Sequence, residues 1–263
     1  MLDRPVSYYM STPVFSIAAD AELVTAQQRL EQHRVSALLV QDGADPIAAV
    51  LSRADLLRVG RVDLDPQRGG LRLLVPSQLV RDAATPSVVT VSPEGTSVRE
   101  AARAMLAHGV HRVFVATPQH AYGVLSTRDV MRALVDARAS TSMAELMTSP
   151  VRTIAATATI EQAVSALRDA QVVGIVVTDA AGWPVGMFTQ EQAVESAGYF
   201  SIDPVERAMS HRFIVANAPG AAHHVAARAI ATRARHAIVM EQRSIVGIVS
   251  GLDFARAAVE WSP

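Results

Sequence analysis

The stretch G-V-L-S-T-R-D at 123–129 comes back as G-I-V-S-G-L-D at 247–253. Two altered copies lie at 49–55, A-V-L-S-R-A-D with Ala49 in place of the glycine, and at 186–192, G-M-F-T-Q-E-Q with Gln192 in place of the acid. In each copy an apolar run ends on a hydroxyl residue (Ser52, Ser126, Thr189, Ser250), and helix-forming sequence begins at once. Upstream of each copy stands an M-x-x-P-like opening: Met10 to Pro13, Ala83 to Pro86, Met147 to Pro150 and Met209 to Arg212. From the end of the opening to the hydroxyl residue is 39, 40, 39 and 38 residues. Spacing that regular marks one structural unit written four times.

The interior of the unit repeats too. A short β-branched strand follows each opening, at Val14–Ile17, Val88–Val91, Val151–Ile154 and Phe213–Val215. A helix comes next. In the second unit Ser97 and Glu100 form a capping-box pattern ahead of an apolar face of Val98, Ala102, Met105 and Leu106; Thr159 and Gln162 do the same in the third. Two further strands are separated by turn formers such as Asp42-Gly43 and Ala181-Gly182. The second helix starts right after the hydroxyl residue. The order strand, helix, strand, strand, helix predicts an α/β (α+β) fold of four repeats at 8–60, 80–137, 143–197 and 205–260. One repeat has too little surface to bury both faces of its sheet, so neighbours must pair. Pairs one–two and three–four follow, with Asp136 to Ser142 as the linker and the Pro- and Gly-bearing stretch Arg61 to Leu79 as an insertion in the first pair.

Composition narrows the function. Half of the 263 residues are hydrophobic and the formal net charge is −1, which fits a globular protein with ample core and lacks the basic footprint of a nucleic-acid binder. There is no secretory signal pattern in Met1 to Phe15 and no apolar run near bilayer length, so the expected location is cytoplasmic, off the membrane. The chain has no cysteine, which excludes disulfides and thiolate chemistry. All 24 basic residues other than histidine are arginine. Without lysine there is no Schiff-base chemistry and no P-loop, so any phosphate must be held by arginine, histidine, hydroxyls or backbone N–H groups.

The repeat plan and its closing motif, G-h-h-[ST]-x-x-[DN] with h apolar, resemble the CBS domain, whose tandem pairs are called Bateman modules. The resemblance covers residues 8 to 260 and implies four repeats in two modules. It implies clefts between paired repeats that take AMP, ADP or ATP as regulatory ligand, with S-adenosylmethionine or NAD as further candidates. In that family the acid holds the ribose hydroxyls and the hydroxyl residue helps to hold phosphate. Carried to this chain, the roles fall on Ser52 with Asp55, Ser126 with Asp129, and Ser250 with Asp253, while Thr189 has the hydroxyl without the acid. Family members also place basic residues before the second strand; the matching residues here are His33-Arg34, His111-Arg112 and Arg235-His236, against Val173-Gly174 in the third repeat. Arginine there would grip phosphate through bidentate bonds. The expected partners are the nucleotide, a regulated protein of unknown identity, and a second copy of the chain in a homodimer through the modules, although face-to-face association within one chain is equally allowed.

A second reading stays beside this one. The [ST]-x-x-[DE] pattern is also a capping box, so the motifs could serve helix starts alone in a scaffold that binds no ligand. The adjacent pair His223-His224 points to different helix faces and lacks a third ligand, which argues against a metal. Signatures of a nucleophile elbow, zincin or dinucleotide fold are absent, and the expectation is a regulatory protein with no catalytic residue.

Overall fold

The computed structural model describes residues 1–43, 45–65, 70–170, 174–189, 192–193 and 199–262. Pro66, Gly69, Val173, Gln190, Glu191 and most of the second helix expected in repeat three lie outside the described residues. Repeat one contains β1 (Ser16–Ala18), α1 (Leu23–Gln32), β2 (Ala37–Asp42), β3 (Asp45–Ser52) and α2 (Arg53–Val59). The expected insertion forms a hairpin of its own, β4 (Arg61–Asp65) with β5 (Gly70–Leu74). Repeat two follows with α3 (Val80–Ala83), β6 (Thr90–Val91), α4 (Val98–His108), β7 (Arg112–Thr117), β8 (His120–Ser126) and α5 (Thr127–Ala137). Repeat three has α6 (Met143–Leu146), β9 (Thr153–Ala155), α7 (Ile160–Ala170), β10 (Gly174–Thr178) and β11 (Pro184–Thr189). Repeat four has β12 (Phe213–Asn217), α8 (Ala222–Thr232), β13 (His236–Glu241), β14 (Ser244–Ser250) and α9 (Gly251–Glu260).

The four three-stranded sheets share one topology. The first strand runs parallel to the second, because a helix carries the chain back across, and the second turns into the third as an antiparallel hairpin. The opening of each repeat, however, does not stay with its own sheet. Ser11 bridges to Val124 of repeat two, and Thr85 bridges back to Val50 of repeat one. In the second half Thr148 bridges to Ile248 and Ser210 to Met187. Each pair of repeats thus trades its leading segments, which is what joins one to two and three to four.

This exchange explains both motif glycines and their one exception. A side chain at Gly123, Gly186 or Gly247 would run into Met10, Met209 or Met147, whose sulfur would sit within 2.5 Å of the new carbon. The opening methionine of one repeat therefore packs on the glycine of its partner. The Val50–Thr85 bridge sets Ala84 in register with those methionines. Where the methionine has shrunk to Ala84, the glycine it would cover has grown to Ala49, and the register shows that Ala84, rather than Ala83, holds the methionine's place.

The modules meet face to face within the chain through repeats two and four. Helices α4 and α5 pack against α8 and α9, and one apolar cluster runs through both repeats. Its helical members include Ala101, Ala102, Ala133, Ala226, Ala229, Ala255 and Ala258, small side chains that let the backbones approach closely. Arg99 on α4 fastens the contact: its Nη1 donates to the carbonyls of Ala258, Val259 and Trp261 at the end of α9, at 2.8–2.9 Å. Repeats one and three have separate apolar clusters. The expected linker is firmly held, with Ala139 fully buried and Asp136 accepting a 2.7 Å bond from the Tyr9 hydroxyl.

Candidate functional site

At each strand-to-helix junction the hydroxyl residue ends the strand and the acid sits one turn into the helix, on the side that faces back to the junction. Ser126 gives both its N–H (2.8 Å) and its Oγ–H (2.6 Å) to Asp129 Oδ2. Ser250 does the same to Asp253 Oδ2 (2.7 and 2.8 Å), and Ser52 to Asp55 Oδ2 (2.8 and 2.6 Å). In repeat three the Thr189 hydroxyl donates to Gln192 Oε1 at 2.6 Å, so the geometry survives while the charge is gone. Asp129 is the most deeply placed of the acids, 3% exposed.

The other carboxylate oxygen carries a partner that the motif did not reveal. Arg58, Arg132 and Arg256 reach Oδ1 of Asp55, Asp129 and Asp253 at 3.2, 2.6 and 3.3 Å. All three stand three residues past the acid, the spacing that brings side chains together on a helix. Asp55 also accepts from Thr85 Oγ1 at 3.1 Å, which fills both acceptor positions on each of its oxygens. Asp129 and Asp253 each retain one acceptor position on Oδ1 among the described residues. The longer pattern [ST]-x-x-D-x-x-R was present in the sequence, and repeat three departs from it twice, with Gln192 and Glu195.

The basic residues fall differently in repeat one than the sequence suggested. Strand register sets Arg112 opposite Ser126 and His236 opposite Ser250. The residue opposite Ser52 is Ala37, so Ser36-Ala37 and not His33-Arg34 occupies the matching place. His33 caps α1 and stacks on Phe15, and Arg34 follows in the left-handed region at φ 53°, both exposed. Arg34 therefore corresponds to Gly109 and Arg233, the residues that turn the chain out of the first helix in repeats two and four. The structure does not bring it into the basic pair.

His111, Arg112, Arg235 and His236 come together where repeats two and four meet. A side chain added at Gly251, the first residue of α9, would lie 2.6 Å from Thr127 Oγ1 and 3.4 Å from His111 Nδ1, so the N-termini of α5 and α9 converge at that point. Both helix starts present positive dipole ends. Burial pushes Arg112 below its ordinary value; Asp55 opposes that shift and Arg235 adds to it. Burial also lowers His111, helped by Arg112 and Arg235. For His236, burial followed by the charges of Arg235 and His111 brings the imidazole down to about 4, against the pull of Asp253. Arg128 is lowered by burial and by Arg132, Arg233 and Arg235, with Asp129 opposing. Cations thus outnumber acids in a partly desolvated spot, the setting in which an anion with several oxygens gains most.

The CBS domain family matches residues 6–61, 80–136 and 143–197 of the sequence. The chain belongs to the CBS domain family. The fourth CBS repeat lies outside the family match and is identified by its strand order and its share in the exchange. Among solved structures, protein MJ1225 from Methanocaldococcus jannaschii, described as an archaeal homologue candidate of γ-AMPK, superposes with a TM-score of 0.74 at 14% identity over 96% of this chain and 99% of its own. An uncharacterised conserved protein from Pyrococcus horikoshii gives a TM-score of 0.69 at 16% identity over 97% and 100%. These likenesses show that the fold of nearly the whole chain, fourth repeat included, is one that solved structures share. No curated protein matches the sequence. CBS pairs are regulatory rather than catalytic as a rule, and no helix among the described residues is long and apolar enough to cross a membrane.

Proposed function

We propose that the chain is a sensor of adenine nucleotides, bound at repeats two and four beside the convergent N-termini of α5 and α9, and that it signals to a partner protein through the relative orientation of its repeats. The observation that carries this reading is the joint presence, in those two repeats, of the Ser–Asp pair and of a basic residue opposite the serine. Capping a helix needs the first and not the second. On binding, the serine hydroxyl would turn from the carboxylate to a phosphate oxygen. That frees an acceptor position on Oδ2 beside the vacant one on Oδ1, enough for the 2′- and 3′-hydroxyls of a ribose. His111, Arg112, Arg235 and His236 are assigned to the phosphates. Asp55, with every acceptor position filled, would have to release Thr85 or Arg58 first, and repeat three offers a neutral amide instead of a carboxylate.

Calorimetry and thermal shift against AMP, ADP, ATP, S-adenosylmethionine and NAD test this reading. A ligand of the native state raises stability by RT ln(1 + [L]/Kd), about 2.7 kcal/mol at a hundredfold excess over Kd. The gain is expected to vanish in a chain carrying Asp129→Ala and Asp253→Ala that remains folded. The competing scaffold reading draws on the fact that the Ser–Asp pairs are satisfied without ligand. It prevails if none of the five compounds shifts the melting curve at millimolar concentration. A homodimer would need a face other than α4, α5, α8 and α9, which already pack on each other; sedimentation measures whether it forms.

A further inference from the structure

Of the arginines that hold the acids, Arg58 and Arg256 also reach the leading segment of the partner repeat. Arg58 Nη2 donates to the Ala83 carbonyl at 2.8 Å, and Arg256 Nη2 to the Leu146 carbonyl at 2.6 Å. Ala83 and Leu146 are equivalent, each closing the short helix that opens a repeat and packs on its neighbour. In repeats one and four the carboxylate is therefore tied through a guanidinium to the backbone of the paired repeat. The acid is the buried member of each pair: the side chains of Asp129 and Asp253 are 4% and 16% exposed, against 50% and 34% for Arg132 and Arg256.

With Oδ2 fixed by the serine and Oδ1 by the arginine, the carboxylate plane has one orientation and its remaining acceptor position one direction. We infer that Arg132 and Arg256 are positioning residues for ribose recognition, aiming the carboxylates of Asp129 and Asp253 at the sugar hydroxyls. The inference rests on the nucleotide reading above. Loss of the guanidinium leaves the acid charged and held by the serine at Oδ2 but with Oδ1 no longer fixed, so it should weaken the hydroxyl contacts while leaving those to phosphate and base. A merely structural arginine would weaken all ligands alike.

The test compares AMP with 2′,3′-dideoxy-AMP by calorimetry in the full chain. To isolate repeat two, Asp55→Asn and Asp253→Asn are introduced first, and Arg132→Gln is then added, because Arg132 bonds to Asp129 without a backbone carbonyl. Hydrogen bonds to a charged group are worth about 1.5–3 kcal/mol each, so the starting protein should prefer AMP by roughly tenfold or more. Arg132→Gln should cut that preference to about threefold or less, with dideoxy-AMP binding unchanged, and Arg132→Lys should restore part of it. Arg256→Gln, made with Asp55→Asn and Asp129→Asn, is the parallel experiment in repeat four. An unchanged preference in folded Arg→Gln variants overturns the positioning role and leaves the nucleotide reading intact, and tighter AMP binding would show the arginine to be a competitor. If AMP does not bind the unsubstituted chain, the nucleotide reading and this inference fall together.

Discussion

His236 is the group whose titration should dominate the acid sensitivity of the fold. In the native chain its imidazole is held neutral down to about 4 by burial and by the neighbouring charges of Arg235 and His111, with Asp253 pulling the other way. In the unfolded chain it titrates near 6.5. Between those values the unfolded state binds a proton that the native state refuses, so stability falls as pH falls from 6.5 toward 4 and is fully present above 6.5. Linkage gives a loss of about 2 kcal/mol between pH 8 and pH 5 from this group alone. For a chain of this size that is roughly 4–8 °C in melting temperature. Thermal melts of the protein and of His236→Gln at pH 8, 7, 6 and 5 read the effect, and the variant should show the flatter profile by about that amount. His111 is lowered for the same cause and contributes a residual slope in both proteins. Equal losses in the two proteins would refute the argument, because they would place the acid sensitivity elsewhere. A bound phosphate should raise the His236 value, so nucleotide binding near pH 6 is expected to take up protons and to show a calorimetric enthalpy that depends on the buffer.

The exchange of leading segments makes its own prediction. Gly247→Ala puts a carbon within 2.5 Å of the Met147 thioether and should cost about 1–3 kcal/mol, recovered in part by adding Met147→Ala, as a double-mutant melt would reveal. Removing the three-carbonyl clasp with Arg99→Ala should destabilise the contact of α4 with α9 by about 1.5–3 kcal/mol and increase amide exchange at the end of α9. Arg128 is crowded by Arg132, Arg233 and Arg235, so Arg128→Gln should melt at or above the parent temperature in low salt, with the difference shrinking toward 1 M salt as the Debye length drops to about 3 Å.

How much of this was legible beforehand depends on what each feature needs. The repeat, its strands and its helix starts were readable because they are local: apolar runs, capping residues and a hydroxyl at fixed spacing. The pairing of acid with hydroxyl was readable for the same reason, since Ser126 and Asp129 lie one helical turn apart. Register between strands was not. His33-Arg34 resembled the other basic pairs by type and by approximate distance to the strand, but Arg34 is itself the αL residue that ends the first helix, three places ahead of the residue opposite the serine, and only the Ala37–Ser52 pairing reveals that. The segment exchange was hidden too, because Met10 meets Gly123 across more than a hundred residues of chain. Its trace was visible as two separate departures from pattern, Ala49 for the glycine and an opening without methionine at Ala83 to Pro86, and only the register puts Ala84 opposite Ala49 and makes them one contact. The arginines at 58, 132 and 256 were in plain view but sat just past the end of the motif.

The repeats are unequal in a way that binds chemistry to assembly. Repeat three has lost its acid, and repeat one has its acid saturated by Thr85 and has no basic residue opposite its serine. The two repeats that keep every polar piece are also the two whose helices join the modules. Their helix starts and their basic residues repel one another at the point where α5 and α9 converge, and the alanine-rich packing behind them holds that arrangement together. Anything that supplies negative charge there relieves the repulsion and strengthens the contact between modules, whereas a ligand at repeat one or three would act on a single module. On the proposed nucleotide reading, occupancy of repeats two and four would be coupled, through linkage, to how firmly the two halves of the chain are docked.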